Sequence, residues 1–147
     1  MVDDTIERLG LAIVSNSCDI AAANNPDPNQ RVAFAPLLDL ALYREFLIEA
    51  GKKPNDVDDY LAKIRRQEIY RIFYLPAMHG HFGESIVALD ALHSMPLRAV
   101  SDRKLERVFT LSMYGWYVLL VKLSIHFTRM GENIDRRPFV SGSVHGG

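Results

Sequence analysis

The sequence predicts an α+β fold: a small, curled, mainly antiparallel sheet with a two-helix insertion and a long C-terminal helix. Three observations predict it. Short apolar runs rich in β-branched and aromatic residues occur in both halves of the chain, two segments with helical periodicity separate them, and the longest apolar segment comes last. Strand-like neighbours are close enough in sequence to pair antiparallel, and small sheets of this kind commonly curl into a barrel.

The composition is that of one folded domain. The chain has 147 residues, of which 48% are hydrophobic and 24% charged, which excludes a disordered protein. Its 17 basic and 18 acidic residues give a net charge of -1, so a general attraction to nucleic acid is not expected, although a local basic patch is compatible with it. The single cysteine, Cys18, excludes a disulfide framework and a cysteine-rich zinc site.

The first strands lie on either side of a loop. Residues 11–15 are apolar, β-branched and bounded by Gly10 and Asn16, which predicts a strand covered on both faces. The turn-forming residues of 23–29 predict an exposed loop, and 31–36 predict the second strand. We expect these two strands to form an antiparallel pair.

A helical pair is expected next. Pro36 suits the first turn of a helix, and 37–50 has helical periodicity. Asn55 or Asp56 can cap a second helix that runs to about Gln67.

The second half returns to strands before the last helix. Three strands are predicted, over 69–75, 85–92 and 97–100. A loop with two glycines, 76–84, separates the first two of them. Ser101 or Asp102 caps the final helix, which continues to about Met130. Its apolar residues cover more than one stripe, which predicts burial against the helical pair as well, or a homodimer.

The ends of the chain and its most apolar segment predict a cytoplasmic protein with no membrane partner. The acidic start has no apolar stretch and is not a secretory signal. The segment 111–127 is near the lower limit for crossing a bilayer, and Lys122 and His126 interrupt it. We expect a single domain over 1–131 and a flexible tail over 132–147.

The strand segments resemble a known family. Leu11–Asn16 and Arg31–Leu37 are similar to the first half of MazF/PemK-type toxins, and Ser85–Asp90 with Leu97–Val100 is similar to the second half. Ser15–Ile20 has the Ser-x-x-Cys-Asp-Ile pattern of divergent bacterial and phage relatives. These matches cover roughly half the chain. The resemblance implies an SH3-like barrel that binds and cuts single-stranded RNA without a metal or cofactor, as in toxin–antitoxin systems and phage defence.

The resemblance also implies two catalytic positions. The catalytic arginine of the family precedes the first strand, where the nearest residue here is Arg8. The catalytic threonine follows the proline corner, and the residue at that position here is Leu38, whose alkyl group cannot bond a phosphate oxygen. The helical pair is also longer than the family pattern requires.

A polar turn follows the first strand. It contains the binding candidates Ser15, Asn16 and Cys18 and the catalytic candidate Asp19. Cys18 is a possible nucleophile if a histidine holds it as thiolate, but the charge of Asp19 would raise the thiol pKa. The alternative is that Cys18 packs as a small apolar residue while its polar neighbours bond turn amides.

Two histidines occupy the glycine-containing loop. His79 and His81 are catalytic candidates, since one imidazole can remove the 2′-hydroxyl proton of RNA while the other protonates the leaving oxygen. With Cys18 they suggest a thiol-dependent or metal enzyme, but spacing fixes no third ligand and no metal site is predicted. The alternative is a surface loop with incidental histidines.

Basic and aromatic residues cluster around the end of the second predicted helix. The binding candidates are Arg65, Arg66 and Arg71, with Tyr60, Tyr70 and Tyr74 close in sequence. Such a pattern can contact phosphates and stack bases. The alternative is a solvated helix face with ion pairs to residues such as Glu68.

Two main functions therefore stand open. One is a nucleic-acid module that binds or cleaves single-stranded RNA, with the catalytic pair lost or altered. The other is a non-catalytic protein–protein interaction module or obligate homodimer, which the near-neutral charge and Leu38 favour.

Overall fold

The structure of the protein, a computed structural model, describes residues 8–15, 27, 29–101, 107 and 109–130. In chain order the elements are β1 Arg8–Ile13, β2 Arg31–Asp39, α1 Leu40–Glu49, α2 Pro54–Arg65, β3 Ile72–Leu75, β4 Ser85–Ala88, β5 His93–Pro96, α3 Leu97–Ser101 and α4 Met113–Met130. The α+β class, the antiparallel sheet, the two-helix insertion and the long last helix are confirmed. The boundary at 131 and the tail predicted over 132–147 lie outside the described residues.

The five strands form one open antiparallel sheet. Its order is β1-β2-β4-β3, and β5 pairs with β2 off that path. The predicted pairing of the first two strands is confirmed, with Leu11 opposite Pro36 and Ile13 opposite Phe34. Since β1 and β3 form the two ends of the path among the described strands, closure into an SH3-like barrel stays a prediction.

The long strand β2 changes partners along its length. Its first part, to Phe34, pairs with β5, and its last part, from Leu37, pairs with β4. Pro36 lies between these two parts, where β2 pairs with neither β4 nor β5. A proline is tolerated there because its missing amide hydrogen removes no bond to either strand. The prediction that Pro36 opens a helix is therefore wrong, and α1 begins at Leu40 instead. Asp39 caps it, because its Oδ1 accepts from the amides of Ala41 at 2.7 Å and Leu42 at 3.0 Å.

Helices cover both faces of the sheet. Neighbouring residues of β2, Leu37 and Leu38, belong to different core clusters, as successive side chains of a strand point to opposite faces. Leu38 packs with residues of α1 and α2 such as Leu40 and Ile64, whereas Leu37 packs with Leu119 of α4. This two-sided burial explains why β3, β4 and the last part of β2 are apolar at nearly every position. The predicted covering of β1 on both faces is wrong, because Leu11 and Ile13 of this edge strand are 43% and 42% exposed.

The segment 85–101 differs from the prediction in three places. Strand β4 ends at Ala88 and passes into a 3-10 turn, Leu89–Ala91. The next strand is β5, and the predicted strand over 97–100 is the helix α3. Register explains this, since β2 begins at Arg31 opposite Pro96, and the bond of the Leu97 amide to the Gln30 carbonyl at 2.8 Å is the last one between these segments among the described residues.

The final helix starts later than predicted. The described residues 109–112 are not helical, and α4 begins at Met113. Ser112 supplies the cap, because its Oγ accepts from the Gly115 amide at 3.1 Å. The predicted start at Ser101 is therefore wrong, because Ser101 is the last residue of α3 and the non-helical residues 109–112 precede α4. The alternative start, Asp102, lies outside the described residues.

A buried lysine ties α4 to the sheet. The side chain of Lys122 is 4% exposed, and its Nζ donates to the carbonyl oxygens of Ile69 at 2.6 Å and Ile72 at 2.8 Å. Burial lowers the pKa of Lys122 to about 8. Within the described part of the chain no carboxylate forms an ion pair with it.

Candidate functional site

The histidine loop connects β3 and β4 as a tight turn. The amide of Met78 donates to the Phe82 carbonyl at 2.9 Å, and Gly80 adopts a φ of 81°, which only glycine takes without strain. His79 and His81 are both exposed, and a shallow cleft of about 290 Å³ lies along the same loop. None of the described residues covers the two imidazoles, so this part of the chain forms no enclosed pocket around them.

The other predicted site residues of the first strand lie at two ends of the sheet. Arg8 begins β1 opposite Leu38, near the end of the sheet that carries the histidine loop. Ser15 lies at the opposite end, where its Oγ accepts from the Ala33 amide at 2.8 Å. Leu38 and Ala33 are five residues apart along β2, which is about 17 Å at about 3.3 Å per residue. The Ser15 hydroxyl therefore bonds the backbone of β2, whereas the alternative interpretation expected it to bond an amide of its own turn.

Three further candidates cannot be placed. Asn16, Cys18 and Asp19 lie outside the described residues. Across the residues that the structure does describe, no group of three or more His, Cys, Asp or Glu side chains is arranged to hold a metal ion.

Arg65 is held in a network with Glu84 and Tyr74. Its Nε and Nη2 donate to the two Glu84 carboxylate oxygens at 2.8 and 2.7 Å, and the Tyr74 hydroxyl donates to the same carboxylate at 2.6 Å. The Arg65 and Tyr74 hydrogen bonds lower the pKa of Glu84 to about 2. Burial and the bond to Glu84 raise the pKa of Tyr74 to about 12. This network fixes the end of α2 to the β3–β4 hairpin.

We expect this network to stabilise the fold above acid pH. The pKa of Glu84 falls from 4.5 to about 2 on folding, so its contribution is complete above pH 4.5 and is lost as the pH falls toward 2. Both partners of the ion pair are more than a third exposed, which limits the contribution to about 1 kcal/mol or less. Urea unfolding between pH 2 and 6 should show a shallower acid loss for Glu84→Gln than for the wild type.

The matched control is Glu49→Gln, which removes an exposed carboxylate that pairs with no described cation. An identical acid limb for the wild type and Glu84→Gln would contradict the assignment.

Two more arginines are paired in the same way. Arg66 donates to Glu68 at 2.6 and 3.3 Å, and Arg44 donates to Asp58 at 2.7 and 3.2 Å. The bond to Glu68 raises the pKa of Arg66, and the bond to Asp58 raises that of Arg44. Two of the three predicted binding arginines, Arg65 and Arg66, thus have carboxylate partners, which the ion-pair interpretation anticipated.

Arg71 differs from them. Its Nη2 donates to the Tyr60 hydroxyl at 3.3 Å, and within the described ranges no carboxylate forms an ion pair with it. Tyr43 of α1 lies close to the Tyr60 hydroxyl. Burial and the neighbouring Tyr60 raise the pKa of Tyr43 well above its ordinary value.

The largest exposed apolar surface of the described residues belongs to α4. Seven large apolar side chains on this helix are 40–80% exposed, namely Met113, Tyr114, Tyr117, Leu120, Val121, Ile125 and Phe127. Together with Ser124 and Thr128 they cover an arc of about 160° on one side of the helix, at about 100° per residue. We call these nine residues the outer face of α4. It contains no charged residue.

Sequence reasoning found this excess of apolar surface but not which residues carry it. The helical period alone does not say which side of α4 contacts the sheet. The contact of Glu84 with Arg65 was not predicted, and neither was the position of Tyr43 near Tyr60 and Arg71. In both cases the residues are distant in sequence. Only the sheet register and the packing of α1 on α2 bring them together.

Comparison with known proteins gives no assignment. No protein-family model, no curated protein and no solved structure matches the chain. Within the described residues, no helix combines the length and apolar character needed to traverse a lipid bilayer.

Proposed function

We propose that the protein is a non-catalytic interaction module that associates with a second copy of itself through the outer face of α4. The observation that carries this proposal is the uncharged, exposed side of an 18-residue helix whose other side packs on the sheet. Helices on a solvated surface normally carry polar and charged residues on that side. An outer face without them is typical of a protein interface.

The area of the face supports a stable dimer. A fully exposed aromatic side chain presents on the order of 150–250 Å² and an aliphatic one somewhat less. At 40–80% exposure the seven side chains together present on the order of 800 Å². The largest patch on a typical monomer is about 300–600 Å². A specific interface of standard size buries about 800 Å² on each partner. The outer face of α4 therefore suffices for one interface without any other element.

The distribution of large and small residues favours an antiparallel pair of α4 helices. If a two-fold axis passes between Leu120 and Val121, Tyr117 of one copy faces Ser124 of the other, and Met113 faces Thr128. A large residue then meets a small one at both positions, which fills the space between the helices. A parallel pair would place tyrosine against tyrosine and serine against serine, leaving overlap at one position and a gap at the other.

Self-association should be lost when a charge is placed in the face. Val121→Glu puts two carboxylates against each other at the two-fold axis, where burying an unpaired charge is costly. We expect light scattering to give a dimer mass for the wild type and a monomer mass for Val121→Glu at the same concentration.

The control is Leu42→Glu, which charges an exposed leucine of α1 on the other side of the sheet. It should remain a dimer. A monomer mass for the wild type would overturn the proposal. The outer face would then be covered by another part of the chain or by a different partner.

We propose RNA binding or cleavage by an SH3-like, MazF/PemK-like module as a second candidate function. Two observations support it: β1, β2 and β4, which contain most of the segments that carry the resemblance, pair antiparallel, and both histidines of the loop are exposed. The remaining segment, Leu97–Val100, lies in the helix α3 and does not support it. Cleavage of single-stranded RNA in the presence of a metal chelator, abolished by His79→Ala or His81→Ala, is the expected result. Wild-type protein that neither binds nor cuts such RNA would contradict it.

A further inference from the structure

The surroundings of Arg71 contain hydrogen-bond donors without acceptors. Its backbone is fixed, because the Arg71 carbonyl accepts from the Leu89 amide at 2.8 Å. Its exposed side chain reaches toward α2, where Nη2 donates to the Tyr60 hydroxyl oxygen at 3.3 Å. A guanidinium has five N–H donors. Among the described residues only this one bond uses any of them, so the remaining donors are available to a ligand.

The Tyr60 hydroxyl adds another donor. Its oxygen accepts from Arg71 Nη2, so its own proton takes no part in that bond. Among the described residues no hydrogen bond from this proton to an acceptor is formed. The partly buried ring of Tyr43 packs against the same core cluster as Tyr60.

The three neighbouring arginines show why Arg71 is distinct. Arg44, Arg65 and Arg66 each bind both oxygens of a carboxylate, so their forks are satisfied. Asp90 lies near enough to act electrostatically on Arg71 and Tyr43, but it forms no ion pair with Arg71. It follows the Leu89 anchor in the 3-10 turn and is exposed.

We infer that Arg71 and Tyr60 form a binding site for a phosphate group. A tetrahedral oxyanion supplies several acceptor oxygens and negative charge, and guanidinium forks bind such groups through two parallel hydrogen bonds. The Tyr60 hydroxyl would donate to a third oxygen. The site lies with α1 and α2, on the face of the sheet opposite α4, so it is independent of the proposed self-association.

Three substitutions are expected to change the phosphate affinity in different directions. Arg71→Gln and Tyr60→Phe each remove donors, and we expect phosphate affinity to fall about tenfold for the arginine and about threefold for the tyrosine. Asp90→Asn removes a neighbouring negative charge and should raise the affinity about twofold to fivefold. Arg44→Gln is the matched control, because it removes the same charge from an arginine that a carboxylate already occupies.

The probe is inorganic phosphate, measured as the rise in melting temperature with concentration against sodium chloride of equal ionic strength. For the wild type and Arg44→Gln we expect the melting temperature to rise with phosphate concentration and to saturate. Asp90→Asn should show a larger rise at low phosphate, and Arg71→Gln should show almost no rise. Arg71→Lys should recover part of the rise, since it keeps the charge without the fork. Circular dichroism at the starting temperature checks that each variant is folded.

A second arm distinguishes free phosphate from a nucleic-acid phosphate. A five-nucleotide oligouridylate that binds with the same ranking of variants assigns the site to a nucleic-acid backbone, whereas binding of inorganic phosphate alone assigns it to a free or terminal phosphate. No rise beyond that in chloride with either probe, or the same rise in all variants, would overturn the inference. Neither result depends on whether the protein dimerises or cleaves RNA.

Discussion

Lys122→Ala is expected to lower the free energy of unfolding by about 2–4 kcal/mol. The substitution removes a long buried side chain and leaves a cavity between α4 and β3, as large-to-small changes in a core do. It also removes the donor for two carbonyl oxygens that precede and begin β3. Release of the cost of burying an ammonium offsets only part of this loss.

Lys122→Met separates the packing contribution from the polar one. It keeps most of the side-chain volume and removes the ammonium, so the cost should be about 1–2 kcal/mol, mainly from the unpaired carbonyls. Urea unfolding at pH 7 of the wild type and both variants measures the two contributions. If Lys122→Met is as stable as the wild type, the two carbonyl contacts do not hold α4 in place.

The pH dependence gives an independent readout of the same residue. The pKa of Lys122 is about 8 in the folded protein and 10.5 in the unfolded chain, so the unfolded state binds more protons between these values. The contribution of Lys122 to stability should therefore be constant below pH 8 and rise from about pH 8 to 10.5. The difference between wild type and Lys122→Met isolates this rise from other titrating groups, and a difference that is flat over this range would contradict the burial of the ammonium.

Leu38→Thr is expected to lower the free energy of unfolding by about 3 kcal/mol and to create no ribonuclease. The resemblance places a catalytic threonine at this position, but Leu38 is 1% exposed and packs beneath α1 and α2. The change removes apolar contacts and buries a hydroxyl in an apolar cluster. A hydroxyl there would not reach a phosphate, because the helices cover that face.

The control for this substitution is Leu38→Met, which conserves volume and should cost less than about 1.5 kcal/mol. Urea unfolding measures both variants, and a single-stranded RNA substrate with a metal chelator measures cleavage. Folded Leu38→Thr protein that gains cleavage activity would show that this position can contact RNA, contrary to the packing described here.

Sequence patterns predicted the elements whose signals are local. The apolar runs of β1 and β2 and the helical period of α2 depend on residues within each segment, and their positions are confirmed within a few residues. The predicted cap of α2 at Asn55 or Asp56 is wrong, because the helix begins at Pro54 and Lys53 occupies the cap position without a side-chain hydrogen bond. Pro36 lies in a strand and does not start a helix, because the residues that follow it pair with β4. This strand lies about fifty residues further along the chain, so a local pattern does not reveal the pairing. The replacement of a predicted strand by α3 depends in the same way on where β2 begins.

The candidate site was harder to predict for the same reason. The arginines themselves were visible in the sequence, but their partners were not. Of the four that the structure describes around α1 and α2, all but Arg71 form ion pairs with carboxylates. Glu84 reaches Arg65 only because the β3–β4 hairpin brings it there. Lys122 was visible only as an interruption of an apolar segment, and its bonds to the backbone before β3 depend on how α4 docks. A periodic pattern can show that a helix has two apolar sides, but not which side remains exposed.

Disulfide formation between two engineered chains tests the antiparallel pair of α4 helices most directly. In a Cys18→Ser background, Tyr117→Cys and Ser124→Cys are made as separate proteins and then oxidised alone and as a mixture. The proposed dimer places position 117 opposite 124, so the mixture should form a covalent dimer containing one chain of each kind, while each protein alone should form little. Covalent dimers of Tyr117→Cys alone at equal yield, or none in any sample, would contradict the account.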